Sequence, residues 1–167
     1  GIVNETALII TCHFARLSIE YIQPMKDLGI ISFAKCALNS DFPAIRARAA
    51  NLIGNFIKYE KIPSEHEESI VSLLMSQLTD DNLECRKFAA YAIGNELYHT
   101  DSIESYVSKN LQAIVDLLDI SDNKTIEYGA YVISNFIRKN DTYVADVIKC
   151  GALEKIISLI MERAELV

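Results

Sequence analysis

The stretch Arg86-Lys87-Phe88-Ala89-Ala90-Tyr91-Ala92-Ile93-Gly94-Asn95 has two relatives in the same chain, one forty residues before it and one forty residues after. The first reads Arg46-Ala47-Arg48-Ala49-Ala50-Asn51-Leu52-Ile53-Gly54-Asn55, the second Ile126-Glu127-Tyr128-Gly129-Ala130-Tyr131-Val132-Ile133-Ser134-Asn135. A period near forty, carried by a helical pattern rather than by Gly or Cys spacing, marks an α-solenoid. Small residues recur in one register, Ala49 with Ala50, Ala89 with Ala90 and Gly129 with Ala130, where neighbouring helices must approach closely. They set helix spacing, so function has to be sought on another face.

Half of the 167 residues are apolar, enough for a substantial core, which a repeat architecture draws out into a ribbon. The net charge of -7, from 16 basic and 23 acidic side chains, argues against broad binding of a phosphate backbone. Cys12, Cys36, Cys85 and Cys150 form no CxxC pair and read as small buried hydrophobes in a reducing compartment. No apolar run reaches the roughly 18 residues that span a bilayer, and the amino end lacks the pattern of a signal peptide.

Working outward, residues 1–22 read as the closing helix of an earlier repeat. A step of forty sets Ala7 against Ala47, Ile10 against Ala50, Cys12 against Leu52 and Ala15 against Asn55. The spacing of Met25, Leu28, Ile31, Phe33, Ala34, Ala37 and Leu38 predicts a helix over 25–39. The next runs over 43–59, with Asp41 as cap and Pro43 in its first turn. Ser64 with Glu67 suggests a capping box for a helix over 65–78. Asp81 and Ser121 stand in the place of Asp41 before helices over 82–99 and 122–139. Between those two lie helices near 102–108 and 110–119; a short helix near 143–148, a bend at Gly151 and a helix over 152–165 complete the chain. The division is a partial repeat at 1–22, repeats at 23–61, 62–100 and 101–140, and a partial repeat at 141–167, all in one domain.

With each Asn as zero, one helical face is read at minus seven, minus four, zero and plus three. The three copies give Arg48, Asn51, Asn55 and Lys58; Phe88, Tyr91, Asn95 and Tyr98; and Tyr128, Tyr131, Asn135 and Arg138. Side by side they make an amide ladder with aromatic platforms and a basic edge at Arg48, Lys58 and Arg138. An amide both donates and accepts, so it can pair with the backbone of an extended peptide whatever its sequence. Tyr and Phe cover the peptide at low entropy cost, and Lys58 with Arg138 would meet an acidic end. The alternative is that the Asn side chains satisfy neighbouring turns and the aromatics fill grooves between helices. Glu96, where the other copies carry Phe56 and Phe136, is expected to reach solvent.

These spacings and the Gly-Asn or Ser-Asn helix ends resemble armadillo repeats. That resemblance implies an all-α, armadillo- or HEAT-like right-handed solenoid of about four repeats, incomplete at both ends. It also implies contact between Asn55, Asn95 and Asn135 and the backbone of a peptide on the concave face. The Trp that flanks this Asn in armadillo peptide binders is replaced by Asn51, Tyr91 and Tyr131, and the chain has no Trp. The run 86–99, then Leu117-Leu118, Lys124-Thr125, residues 134–140 and Gly151-Ala152-Leu153, resembles the carboxy-terminal armadillo region of Fused-type serine/threonine kinases and related pseudokinases. This second resemblance implies a non-catalytic regulatory or scaffolding region, cytoplasmic, ciliary or cytoskeleton-associated, with kinesin-related proteins or a signalling scaffold as partners.

No Gly-rich phosphate loop, kinase catalytic loop or metal spacing is present, so neither catalysis nor a cofactor is expected of this segment. Glu65, Glu67 and Glu68 suit the start of a helix. His99, Asp101 and Ser102 straddle a helix break, where capping is the ordinary role. The expected function is a module that binds a peptide or helical partner. Homo-oligomerisation or a purely structural role is the competing class, and a patch at Arg46, Arg48 and Lys58 is the weaker case for nucleic acid.

Overall fold

The computed structural model describes residues 2–164, with side chains for residues 5–162. Residues 1 and 165–167, which the sequence reading assigned to the terminal partial repeats, lie outside the described residues. The described chain is all-α, with eleven α-helices and no strand. They are α1 (Ile2–Leu17), α2 (Ile22–Asp27), α3 (Ile30–Leu38), α4 (Pro43–Ile57), α5 (Ser64–Gln77), α6 (Leu83–His99), α7 (Glu104–Lys109), α8 (Leu111–Asp116), α9 (Asn123–Lys139), α10 (Val144–Lys149) and α11 (Ala152–Ala164). Three single turns of 3-10 helix join them, at Ile19–Tyr21, Leu117–Asp119 and Asp141–Tyr143.

The three related stretches are α4, α6 and α9, and they stack as one layer in which α4 lies between α1 and α6, and α6 between α4 and α9. Helices α3, α5 and α8 back this layer on its other side. Ala49, Ala50, Ala89 and Ala90 are fully buried, which lets the backbones approach as the small-residue register requires. Phe56, Ile57, Leu74, Ile93, Leu97, Ile114 and Phe136 continue the core from repeat to repeat as a ribbon. Such a core is stabilised chiefly by neighbour-to-neighbour burial.

The glycines Gly54 and Gly94 supply a second close approach. A Cβ at Gly54 would sit 2.7 Å from Cε1 of Tyr91, and one at Gly94 would sit 2.9 Å from Cε1 of Tyr131. Each ring therefore lies over the glycine of the preceding helix, so Tyr91 and Tyr131 are packing elements as well as surface.

Helix ends depart from the sequence reading at five places: the α2–α3 break, three N-caps and the start of α5. The expected helix over 25–39 is two helices, because Gly29 adopts φ +76 and its N–H returns to Lys26 O at 2.8 Å, ending α2. Leu28, counted as an apolar-face residue, is exposed at this break. The caps fall one residue after Asp81 and Ser121. Asn82 accepts from Glu84 N and Cys85 N, Asp122 accepts from Thr125 N, and α4 starts at Phe42 and Pro43 without any side-chain cap from Asp41. The capping box at Ser64 and Glu67 does not form: Pro63 is the N-cap and Ser64 opens the helix, one position too late to cap it. At Gly151, φ is +78, and the bend expected between α10 and α11 is present.

Two expectations about side chains are corrected as well. Cys12 and Cys85 are buried, but Cys36 is exposed and Cys150 half-buried. Cys36 lies on the outward side of α3, beyond the face that Ala34, Ala37 and Leu38 bury. Glu96 does not reach solvent; it is fully buried.

Candidate functional site

Asn55, Asn95 and Asn135 lie on the adjacent helices α4, α6 and α9, and all three are buried, with 6%, 8% and 4% of their surface exposed. Their amide nitrogens are already engaged. Asn95 Nδ2 donates to Gly54 O at 2.9 Å and Asn135 Nδ2 donates to Gly94 O at 2.9 Å. Asn55 Nδ2 reaches Cys12 O and Asn51 Oδ1, each at 3.4 Å. Every rung ties its helix to the one before it. The ladder is thus first a staple between repeats, in which Asn95 and Asn135 each donate one of their two amide N–H groups to the preceding helix. Asn55 Oδ1 accepts from Tyr91 Oη at 3.3 Å, and Asn135 Oδ1 accepts from Arg138 at 3.3 Å.

The staples also fix the register of α1. Asn95 and Asn135 each reach a carbonyl 41 residues back, whereas Asn55 reaches one 43 back. Helix α1 is therefore displaced by two residues from the forty-residue step that paired Ala15 with Asn55. Cys12 stands in the place of Gly54, His13 in the place of Asn55 and Arg16 in the place of Lys58. The segment between α1 and α4, which carries α2 and α3, absorbs the offset, and a strict period could not show it. His13 and Arg16 are thereby the two members of the face that the sequence reading missed.

The face forms a groove of about 430 Å³ lined by Cys12, His13, Arg16, Asn51, Asn55, Lys58, Phe88, Tyr91 and Tyr128. The Tyr91 and Tyr128 rings are 4.9 Å apart and tilted by 34°. Phe88, Tyr91, Tyr128 and Tyr131 are half-buried, and Tyr98 is exposed over 57% of its surface. Burial pushes the Tyr91 phenol above its ordinary range, so it remains a neutral hydroxyl at any physiological pH. Arg138 lies over the Tyr98 ring at 5.1 Å from its centroid, and Lys58 Nζ lies 5.3 Å from that of Tyr59. Arg48 and Lys58 make no ion pair among the described residues, whereas Arg46 is held by Asp80 at 2.7 Å and leaves the basic patch first considered for nucleic acid.

The other polar groups singled out have structural partners. Glu96 accepts from Ile62 N–H through both oxygens, at 3.0 and 3.3 Å. It holds the extended segment that leads into α5, beside Glu67 and Lys61. Burial pushes its carboxyl up to about 7, against the lowering effect of the Ile62 N–H. The expectation of a solvated Glu96 fails because the chain between α4 and α5 crosses over it and needs an acceptor there. Asp101 pairs with Lys139 at 2.7 Å, and Ser102 N donates to Thr100 Oγ1 at the helix break. Among the described residues no group of three His, Cys, Asp or Glu side chains could hold a metal ion, and no helix is long and apolar enough to cross a membrane.

No protein-family model matches the chain, and comparison with curated proteins finds no similar sequence. Solved structures do match. A designed armadillo repeat protein superposes with a TM-score of 0.78 at 23% identity, over 93% of this chain and 67% of its own. An engineered protein gives 0.79 at 25%, over 95% and 67%. A second designed armadillo repeat protein, in complex with the peptide (KR)4, gives 0.74 at 24%, over 93% and 66%. The chain thus spans about two thirds of the length of these proteins. Together with the stacked α4, α6 and α9, these likenesses establish the armadillo-repeat fold.

Proposed function

We propose that this chain is a protein-interaction module that binds an extended peptide across α4, α6 and α9. The observation that carries it is the groove itself, in which half-buried aromatics from α6 and α9 stand beside the amides of Asn51 and Asn55 on α4, with Asn95 and Asn135 continuing the same face outside its lining. Phe88, Tyr91, Tyr98, Tyr128 and Tyr131 exclude water from the bound backbone. Asn51, Asn55, Asn95 and Asn135 present acceptors to its N–H groups, and Arg48, Lys58 and Arg138 supply charge at the edges. One N–H of Asn95 and one of Asn135 are held by the chain's own carbonyls, which leaves the second N–H of each amide beside Oδ1. A designed protein of the same fold in complex with a peptide supports the reading.

The test begins with a phage-displayed library of random linear peptides selected on the folded chain. Binders are then mapped by amide chemical-shift changes in the labelled protein. Shifts clustered on Asn51, Asn55, Phe88, Tyr91, Tyr128 and Tyr131 are expected. Binders that shift only residues of α3, α5 and α8 would refute the assignment.

The finer reading is that the module is the regulatory region of a serine/threonine kinase or pseudokinase of the Fused type, cytoplasmic or ciliary, with kinesin-related proteins or a signalling scaffold as partners. The run 86–99 and its continuations support it. A kinase domain in the same reading frame and ciliary or cytoplasmic fluorescence of the tagged protein are the expected results; their absence would remove the reading and leave the peptide-binding proposal intact.

A further inference from the structure

The chain carries a net charge of -7, yet the groove has the opposite sign. His13, Arg16 and Lys58 line it, Arg48 stands beside it, and no carboxylate is among its lining residues. Arg16, Arg48 and Lys58 form no ion pair among the described residues, whereas Lys26, Arg46, Lys87, Lys124, Lys139 and Lys155 all do. Lys35, Lys61, Arg86, Lys109 and Arg138 lack an ion pair among the described residues too, so the sign of the groove comes from the grouping of cations along it with no carboxylate in its lining. With the α1 register corrected, Arg16, Lys58 and Arg138 occupy one position on three of the four stacked helices. On the fourth, that position is Tyr98, over which Arg138 folds. Arg48 and Lys58 are ten residues apart on α4, which puts them about 15 Å apart along its axis. One rail of positive charge thus runs across the helix ends, and a further cation stands on the far side of the aromatic strip.

We infer that the groove takes an acidic extended segment, a stretch of partner polypeptide whose Asp or Glu carboxylates meet Arg16, Arg48 and Lys58 while an apolar or aromatic side chain lies on Phe88, Tyr91 and Tyr128. The inference rests on the peptide-binding reading of the same face and gives it a ligand class. Unpaired cations beside low-dielectric aromatic walls attract carboxylates more strongly than the same charges spread over open surface. A basic peptide such as (KR)4, which the designed protein of this fold holds, would face like charge here, and such a juxtaposition disfavours the wrong partner.

Three fluorescein-labelled peptides, (DE)4, (KR)4 and (SG)4, are titrated into the folded chain by fluorescence anisotropy at low salt and at roughly 0.3 M salt, where the Debye length falls below about 8 Å. The same titrations are run on Arg16→Glu with Lys58→Glu, both exposed positions. A matched control, Lys109→Glu with Lys149→Glu, makes the same change in net charge at exposed sites away from the groove lining. Circular-dichroism melts confirm that both variants fold. The expected result is that (DE)4 binds at least about tenfold more tightly than the other two, weakens with salt, and loses its advantage only in the groove variant. Equal affinities, or tighter binding of (KR)4, would overturn the acidic class while leaving the groove as a peptide site. An advantage of (DE)4 that survives in the groove variant, or disappears in the control, would overturn the placement. Binding by none of the three peptides overturns the acidic inference, and failure of the library-selected binders as well removes the peptide-binding reading with it.

Discussion

Replacing Glu96 by Gln should change the way stability depends on pH, because Glu96 is the one carboxylate in a position that the other two repeats fill with Phe56 and Phe136. Its carboxyl is fully buried and is raised from 4.5 to about 7 by burial, with Ile62 N–H, Glu67 and Lys61 as its polar surroundings. The direction of the effect follows from proton counting. Below the unfolded value near 4.5 the group is protonated in both states, and its contribution is fully present. Between there and about 7 the native state keeps a proton that the unfolded state has released, so stability falls as pH rises. Above that window both states are ionised and the contribution is gone. The shift corresponds to a loss of about 2–3 kcal/mol between pH 5 and pH 8. Gln retains an oxygen for Ile62 N–H but carries no titrating proton. Urea unfolding of the native chain and Glu96→Gln at both pH values isolates the effect of Glu96 with its neighbour Glu67, because carboxylates away from this pair cancel in the difference. Glu96→Gln should gain about 2–3 kcal/mol relative to the native chain on going from pH 5 to pH 8. A difference that stays constant to within a few tenths of a kcal/mol, or that runs the other way, would refute the reasoning.

Substitutions at four further positions probe the stacking and the capping. Asn95→Ala removes the donor to Gly54 O and should cost about 1–2 kcal/mol, whereas Asn95→Asp, of the same shape, sets a carboxylate against that carbonyl and should cost more at neutral pH. Equal urea midpoints for the two variants would show that the staple contributes nothing specific. Gly54→Ala pushes a methyl into the Tyr91 ring and should cost about 1–3 kcal/mol with a shift of the Tyr91 ring resonances; an unchanged melting temperature would contradict the close approach. Asn82→Ala leaves Glu84 N and Cys85 N without their acceptor and should cost about 1 kcal/mol by thermal unfolding, while Asp81→Ala, the residue favoured by the repeat pattern, should cost nearly nothing.

The solenoid was legible because its determinant is periodic: small residues at 49–50, 89–90 and 129–130 recur at the spacing of the helices they separate. The face bearing the site was legible for the same reason, since residues at minus seven, minus four, zero and plus three of a helix share one side wherever that helix packs. What pattern could not supply was the partner of each polar group. An Asn that addresses a peptide and an Asn that staples a neighbouring helix share the same position. Only the 2.9 Å approach of Asn95 and Asn135 to the preceding backbone identifies the staple. Glu96 was misplaced because its surroundings include the chain between α4 and α5, which no helical wheel contains. Arg16 was missed because two extra residues before α4 broke the period by which the rest of the face was found. Gly29 had a readable signal, a glycine in the middle of a proposed helix, which the apolar spacing around it masked.

Site-specific cross-linking tests most directly whether the open side of α4, α6 and α9 holds a peptide. A library-selected binder carrying a benzophenone group at its centre is irradiated in complex with the folded chain, and the joined fragments are identified by mass spectrometry. Attachment within 48–58, 88–98 or 128–138 is the result expected. Attachment confined to α3, α5 or α8, on the reverse of the layer, would contradict the central claim.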